Sequence, residues 1–128
     1  MKKVSELRFT VHSIGCIRKA RGKTTIVLDK KYQAGLLGVG KLSEIWVLWW
    51  FSCNDTPPMR SILHVHPRGN RENPLTGVFA TRAPVRPNLI ALSRVKGLSV
   101  KGNVIEIDKI DAFANTPVLD LKPQRSGH

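Results

Sequence analysis

From Ser43 onward the chain is a succession of short segments that suit β-strands, and each is bounded by Gly, Pro or Asn. They are "EIWVLWWF" (Glu44 to Phe51), "SILHVH" after Pro57-Pro58, "GVFAT" (Gly77 to Thr81), "LIALSRV" (Leu89 to Val95) and "VLDL" (Val118 to Leu121). Short β-branched and aromatic runs separated by turn formers predict strands of a sandwich or barrel. In "SVKGNVIEI" the Lys101-Gly102-Asn103 stretch suits a tight hairpin turn, after which Ile105 and Ile107 alternate with Glu106 and Asp108.

The first third is less regular. "LRFTVHSIG" sets Leu7, Phe9 and Val11 against Arg8, Thr10 and His12, an alternation that predicts a half-buried strand. "IRKARGK" reads as a basic connection, and "TTIVL" (Thr24 to Leu28) as a second strand. "KKYQAGLLGVGKLS" suits a short helix up to Leu37, broken by Gly38 and Gly40. No repeat or linker divides the 128 residues, a length that suits one domain, with a short polar tail from about residue 124. The expected class is all-β: a single small β-barrel or sandwich with short helical insertions.

Against nine acidic side chains stand 21 Lys and Arg, a formal charge of +12 that suits a polyanionic partner such as nucleic acid. The plain alternative is a solvated basic face. Cys16 and Cys53, with no apolar leader after Met1, fit a reducing cytoplasm rather than a disulfide framework. The longest apolar run, Ile45 to Phe51, falls well short of the roughly 20 residues that span a bilayer, so no membrane is expected.

His64 and His66 would project from one face of a strand, but two ligands make no zinc site, and the two cysteines lack paired spacing. Trp46, Trp49 and Trp50 could stack bases, although a continuous apolar strand favours core packing. The most distinctive loop is "TRAPVRPN". Pro84 and Pro87 fix φ and restrict the residues before them, leaving a stiff segment that carries the donor forks of Arg82 and Arg86 and the amide of Asn88. A polar ligand with an anionic group suits it. A rigid surface turn with solvated arginines is the simpler reading.

Taken together, "IGCI", "SEIWVLWWF", "GVFATRAPVRPNLIALS" and "NTPVLDLKP" resemble the TsaA-like (TrmO) family of tRNA methyltransferases in order and approximate spacing, from Ile14 to Pro123. The resemblance implies a dimeric, single-domain β-barrel that binds S-adenosylmethionine and methylates N6 of threonylcarbamoyladenosine beside the tRNA anticodon. Its cofactor positions match Arg82, Leu92, Ser52 with Cys53, and Ala114, Asn115, Thr116 and Pro117. Several depart from the family pattern. Ser43-Glu44 replaces "SH", Ser52 replaces a His, Ala114-Asn115 replaces the "DG" of "DGTP", "RPNLIA" replaces "RPNPIG", and Gln124 replaces the Tyr of "KPY". Ala114 removes a carboxylate, and Asn at the glycine position tolerates positive φ less readily.

If the resemblance extends to activity, Arg86, Asn88 and Lys122 would meet the acceptor, Asp120 would act as base or orienting acceptor, and Arg18, Lys19, Arg21 and Lys23 would attract the tRNA backbone. The departures leave a second expectation: a non-catalytic relative that kept the barrel as an RNA-binding or interaction module.

Overall fold

The computed structural model describes residues 3–125. The last residues of the expected polar tail, 126–128, lie outside the described residues, as do the first two of the chain. The described residues form eight strands: β1 (Gly15–Ala20), β2 (Lys23–Leu28), β3 (Glu44–Trp50), β4 (His64–Val65), β5 (Thr76–Gly77), β6 (Ile90–Lys101), β7 (Val104–Ile107) and β8 (Pro117–Pro123). Six of them close an antiparallel barrel in the order β1-β2-β7-β6-β3-β8, while β4 and β5 pair outside it. The all-β barrel expected from the sequence is the fold observed.

Alternation builds the interior. Along β3, Ile45, Val47 and Trp49 are buried while Glu44, Trp46, Leu48 and Trp50 are half-buried on the outer face. Ile26 and Leu28 of β2 and Ile105 and Ile107 of β7 join Ile17, Ala91, Val95 and Val118 in the same core. The tryptophan cluster is therefore divided by pleat. Only Trp49 is a core residue, and it packs edge-on against Phe51 with ring centroids 4.9 Å apart.

Two hairpins close as turn chemistry dictates. Gly102 and Asn103 link β6 to β7, as the sequence predicts. The "basic connection" is instead a strand and its turn: Ile17 to Ala20 belong to β1, and Arg21 (φ 54°) and Gly22 (φ 76°) make the left-handed two-residue loop into β2. Its alternation is hidden because Arg18, Lys19 and Ala20 are all exposed. At Gly15 the chains approach so closely that any Cβ would collide with the Val27 carbonyl.

Other expectations change. Leu7 to Val11 form no strand and lie exposed, Phe9 being 85% accessible. A closed barrel leaves no edge for them to pair with, since β1 joins β8 directly through Gly15–Val118 and Cys16–Pro117. "SILHVH" contributes only His64 and Val65 to a strand, and "GVFAT" only Gly77. Lys30–Leu36 is a 3-10 helix rather than an α-helix, ended as expected at Gly38 (φ 91°). The single α-helical turn among the described residues, Pro57–Arg60, is capped by Thr56, whose Oγ1 accepts from the Met59 amide at 3.3 Å.

Candidate functional site

At the mouth of the barrel the end of β3, the loop before β6 and the loop before β8 converge. Phe51 ties the first two, its amide donating to the Leu89 carbonyl at 2.9 Å. Asn115 ties the third to β1, its amide donating to the Ile17 carbonyl at 2.7 Å. Between them lies a cleft of about 440 Å³ walled by Trp49, Trp50, Phe51 and Phe113 and edged by Ser52, Cys53, Arg82, Ala114, Asn115 and Thr116. A smaller cleft of about 260 Å³ shares Trp49, Phe51 and Arg82 and adds Thr81, Arg86 and Leu92. A third, of about 700 Å³, runs from Val65 to Gly69 across to Ala80 to Val85, again touching Arg82.

Arg82 thus stands where three clefts meet. It is exposed, and one guanidinium nitrogen donates to the Leu92 carbonyl on β6, which fixes the side chain while leaving its other donors open. Arg86 does different work. It donates to the Thr81 carbonyl at 3.2 Å and the Ala83 carbonyl at 3.0 Å, so it clamps its own loop. The Thr81 hydroxyl accepts from the Ala83 amide at 3.1 Å, and Arg60, unremarked in the sequence, donates to the Pro87 carbonyl at 2.9 Å. Arg60 is in turn held by Asp55 at 3.3 Å and lies 5.8 Å over the Trp50 ring. Proline stiffness is therefore reinforced by side-chain donors to carbonyls that no strand partner satisfies.

Of the cofactor positions inferred from the sequence, Arg82, Ser52, Cys53, Ala114, Asn115 and Thr116 line the 440 Å³ cleft together. Leu92 lines the smaller one, and Pro117 sits away from both, paired with Cys16 where the barrel closes. Asn115 adopts φ 69°, the left-handed conformation that a glycine would take without strain. Thr116 is buried, and its carbonyl accepts from the Ile17 amide at 3.0 Å.

The acceptor-side residues are more scattered. Asn88 is exposed beside the buried Leu89. Asp120 and Lys122 lie exposed on β8, 3.9 Å apart, and line none of the three clefts, so a single chain does not bring Asp120 to the cofactor positions. The acid at the cleft is one that sequence reasoning missed. Asp111 lines both clefts that contain Trp49, and its Oδ1 accepts from the Ser93 hydroxyl at 2.6 Å. Its only sequence signal is proximity to "ANTP". Of the basic set, Lys19 donates to the Ile110 carbonyl at 3.1 Å and Lys23 lies 3.9 Å from Glu106, while Arg18 and Arg21 have no ion pair among the described residues.

Comparison with known proteins gives the family and the fold. Residues 15–126 match the family described as the tRNA-methyltransferase O N-terminal domain. A probable S-adenosyl-L-methionine-binding protein of Pyrococcus horikoshii is 45% identical over 119 residues, covering 91% of this chain and 85% of the relative. The human tRNA (adenine(37)-N6)-methyltransferase is 40% identical over 88 residues, covering 69% of this chain but 19% of that protein. The crystal structure of TrmO from Pseudomonas aeruginosa superposes with a TM-score of 0.70 at 26% identity, covering 93% of this chain and 57% of that one. The chain thus spans little more than half of the solved TrmO structure. On the match over residues 15–126, the chain belongs to the TrmO family, as its tRNA-methyltransferase O N-terminal domain.

Proposed function

We propose that this chain is an S-adenosylmethionine-dependent methyltransferase acting on N6 of threonylcarbamoyladenosine next to the tRNA anticodon, working as a homodimer in the cytoplasm. The observation that carries the reading is the 440 Å³ cleft, where Arg82, Ser52–Cys53 and Ala114–Thr116, from three separate segments, face one space. Flat aromatic walls with an arginine and polar groups at the edge fit a ligand that combines a purine with an amino-acid carboxylate. Arg82 would take the carboxylate, Trp50, Phe51 and Phe113 would hold the base, and Asn115 and Thr116 would shape the floor. When bound, the cofactor supplies a methyl carbon already activated by its sulfonium, so the protein's task is chiefly alignment.

The stiff Thr81–Asn88 loop separates this cleft from the 700 Å³ one beyond Pro84, which suits a donor on one side and an acceptor on the other. Arg86 would act mainly by holding that loop, with Asn88 and the Arg18–Arg21 turn approaching the tRNA backbone. Dimerisation is supported by the half-exposed outer face of β3 and β6, where Leu48 pairs with Leu92 and Trp50 with Ile90, and by the uncovered Leu7, Phe9 and Val11. A partner copy would also be needed to bring Asp120 or Lys122 to the acceptor.

The second reading, a non-catalytic module, is favoured by Ala114, which puts a methyl where the family pattern has a carboxylate. Calorimetry with S-adenosylmethionine, paired with methyl transfer to tRNA carrying threonylcarbamoyladenosine, decides between them. Binding and transfer are expected from the wild-type chain, with affinity reduced about tenfold or more in Arg82→Ala. A wild-type chain giving neither heat nor transfer leaves the non-catalytic module.

A further inference from the structure

Trp49 Nε1 lies 2.9 Å from Ser93 Oγ, and Ser93 Oγ lies 2.6 Å from Asp111 Oδ1. An indole N–H can only donate, so the serine hydroxyl accepts from it and turns its own proton to Asp111. The tryptophan is a core residue and Ser93 projects between the buried Ala91 and Val95 of β6, so the carboxylate is aimed from the rigid wall of the barrel. One oxygen is thereby fixed and the other has no protein partner among the described residues.

Asp111 is the acidic side chain among those lining the 440 Å³ and 260 Å³ clefts, in a chain of formal charge +12. Arg82 lines the same two clefts, yet no ion pair joins it to Asp111, and its guanidinium donates to the Leu92 carbonyl. The negative charge is therefore not cancelled from within the protein. A cationic ligand centre entering beside Arg82 would otherwise meet only positive charge there.

We propose that Asp111, positioned by Ser93 and Trp49, is the counter-charge for the sulfonium of the cofactor and replaces the carboxylate that Ala114 lacks. The inference rests on the reading of the 440 Å³ cleft as the S-adenosylmethionine site. It extends that reading by naming a residue that distinguishes the charged cofactor from its neutral thioether product.

Calorimetry with S-adenosylmethionine and S-adenosylhomocysteine tests it without turnover. Asp111→Asn is expected to weaken the sulfonium ligand about tenfold while leaving the thioether within about twofold, and Asp111→Glu, which keeps the charge, to restore most of the discrimination. The thermal midpoint serves as a check on folding, and should move little because Asp111 is exposed. Equal losses for the two ligands, no loss for either, or discrimination absent in the Glu variant would overturn the role. Failure of the wild-type chain to bind either ligand would instead overturn the cofactor site itself, and the role with it.

Discussion

The wall where β2 meets β7 and the loop from Thr81 to Asn88 lie in one small protein but are held by different forces. In the wall, Ile26 pairs with Ile105 in an antiparallel ladder, both side chains are fully buried, and main-chain hydrogen bonds run from strand to strand. In the loop, the prolines remove donors and break any ladder, and the carbonyls of Thr81, Ala83 and Pro87 are met by the guanidinium groups of Arg86 and Arg60. Shape in the wall follows from burying apolar area. In the loop it depends on a few polar contacts that individual side chains make, which places exposed donors such as Arg82 at a cleft.

The contrast predicts that mutations of the wall act globally and those of the loop locally. Ile105→Ala should have the largest effect, lowering unfolding free energy by about 2 to 5 kcal/mol in denaturant melts, since it opens a cavity in a barrel that is fully closed around it. Gly15→Ala comes next, at about 1 to 3 kcal/mol, because the added methyl must displace the Val27 backbone and loosen the β1–β2 pairing. A melt unchanged by either would mean that the barrel closure contributes little.

Arg86→Ala should cost only about 1 kcal/mol globally while raising amide exchange at Ala83 and weakening ligand binding, because it frees the loop without opening the core. A stability loss as large as that of Ile105→Ala would mean that the loop and the wall are held by the same forces. Asn115→Gly should stabilise by up to about 1 kcal/mol, since glycine takes φ 69° without strain and the position requires it for the amide contact with Ile17.

The smallest effect concerns pH. Asp108 is exposed at the end of β7, where slight burial raises its pKa, and hydrogen bonds from backbone amides, first that of Lys96 at 2.9 Å, together with the Lys96 charge lower it by more. The net direction is below the ordinary 3.8, so the folded state favours the carboxylate. Its contribution is present above the unfolded value and lost as pH falls through the folded one. Asp108→Asn should therefore be slightly less stable than wild type at neutral pH, with the difference closing below about pH 4 in acid melts.

The outcome also shows which features local sequence could carry. Ile105 and Ile107 were legible because strand alternation and a Gly-Asn turn are local signals, and burial on one face of a closed sheet preserves the period of two. The same rule misread Leu7, Phe9 and Val11, whose alternation is real but meets a closed barrel that offers no strand edge. It also missed β1, because the end of a hairpin that projects beyond the core exposes both its faces. That Arg82, Ser52, Cys53, Ala114, Asn115 and Thr116 belong together was suggested only by family resemblance, and they line one cleft. Asp111 was not legible, since nothing in "IDAF" indicates that Ser93, 18 residues earlier, will point a hydroxyl at it.

What the chain's residues determined locally, then, is strand content, the two tight turns, the stiffness of the proline loop and the excess of positive charge. Tertiary structure alone decided which pleat face of β3 looked inward, that Arg86 would close its loop while Arg82 stayed open to three clefts, and that Asp111 rather than Asp120 would reach the cleft. Periodicity and backbone stiffness act over a few residues, whereas the direction of a charged side chain is set by whichever unsatisfied carbonyl or hydroxyl the closed barrel brings beside it.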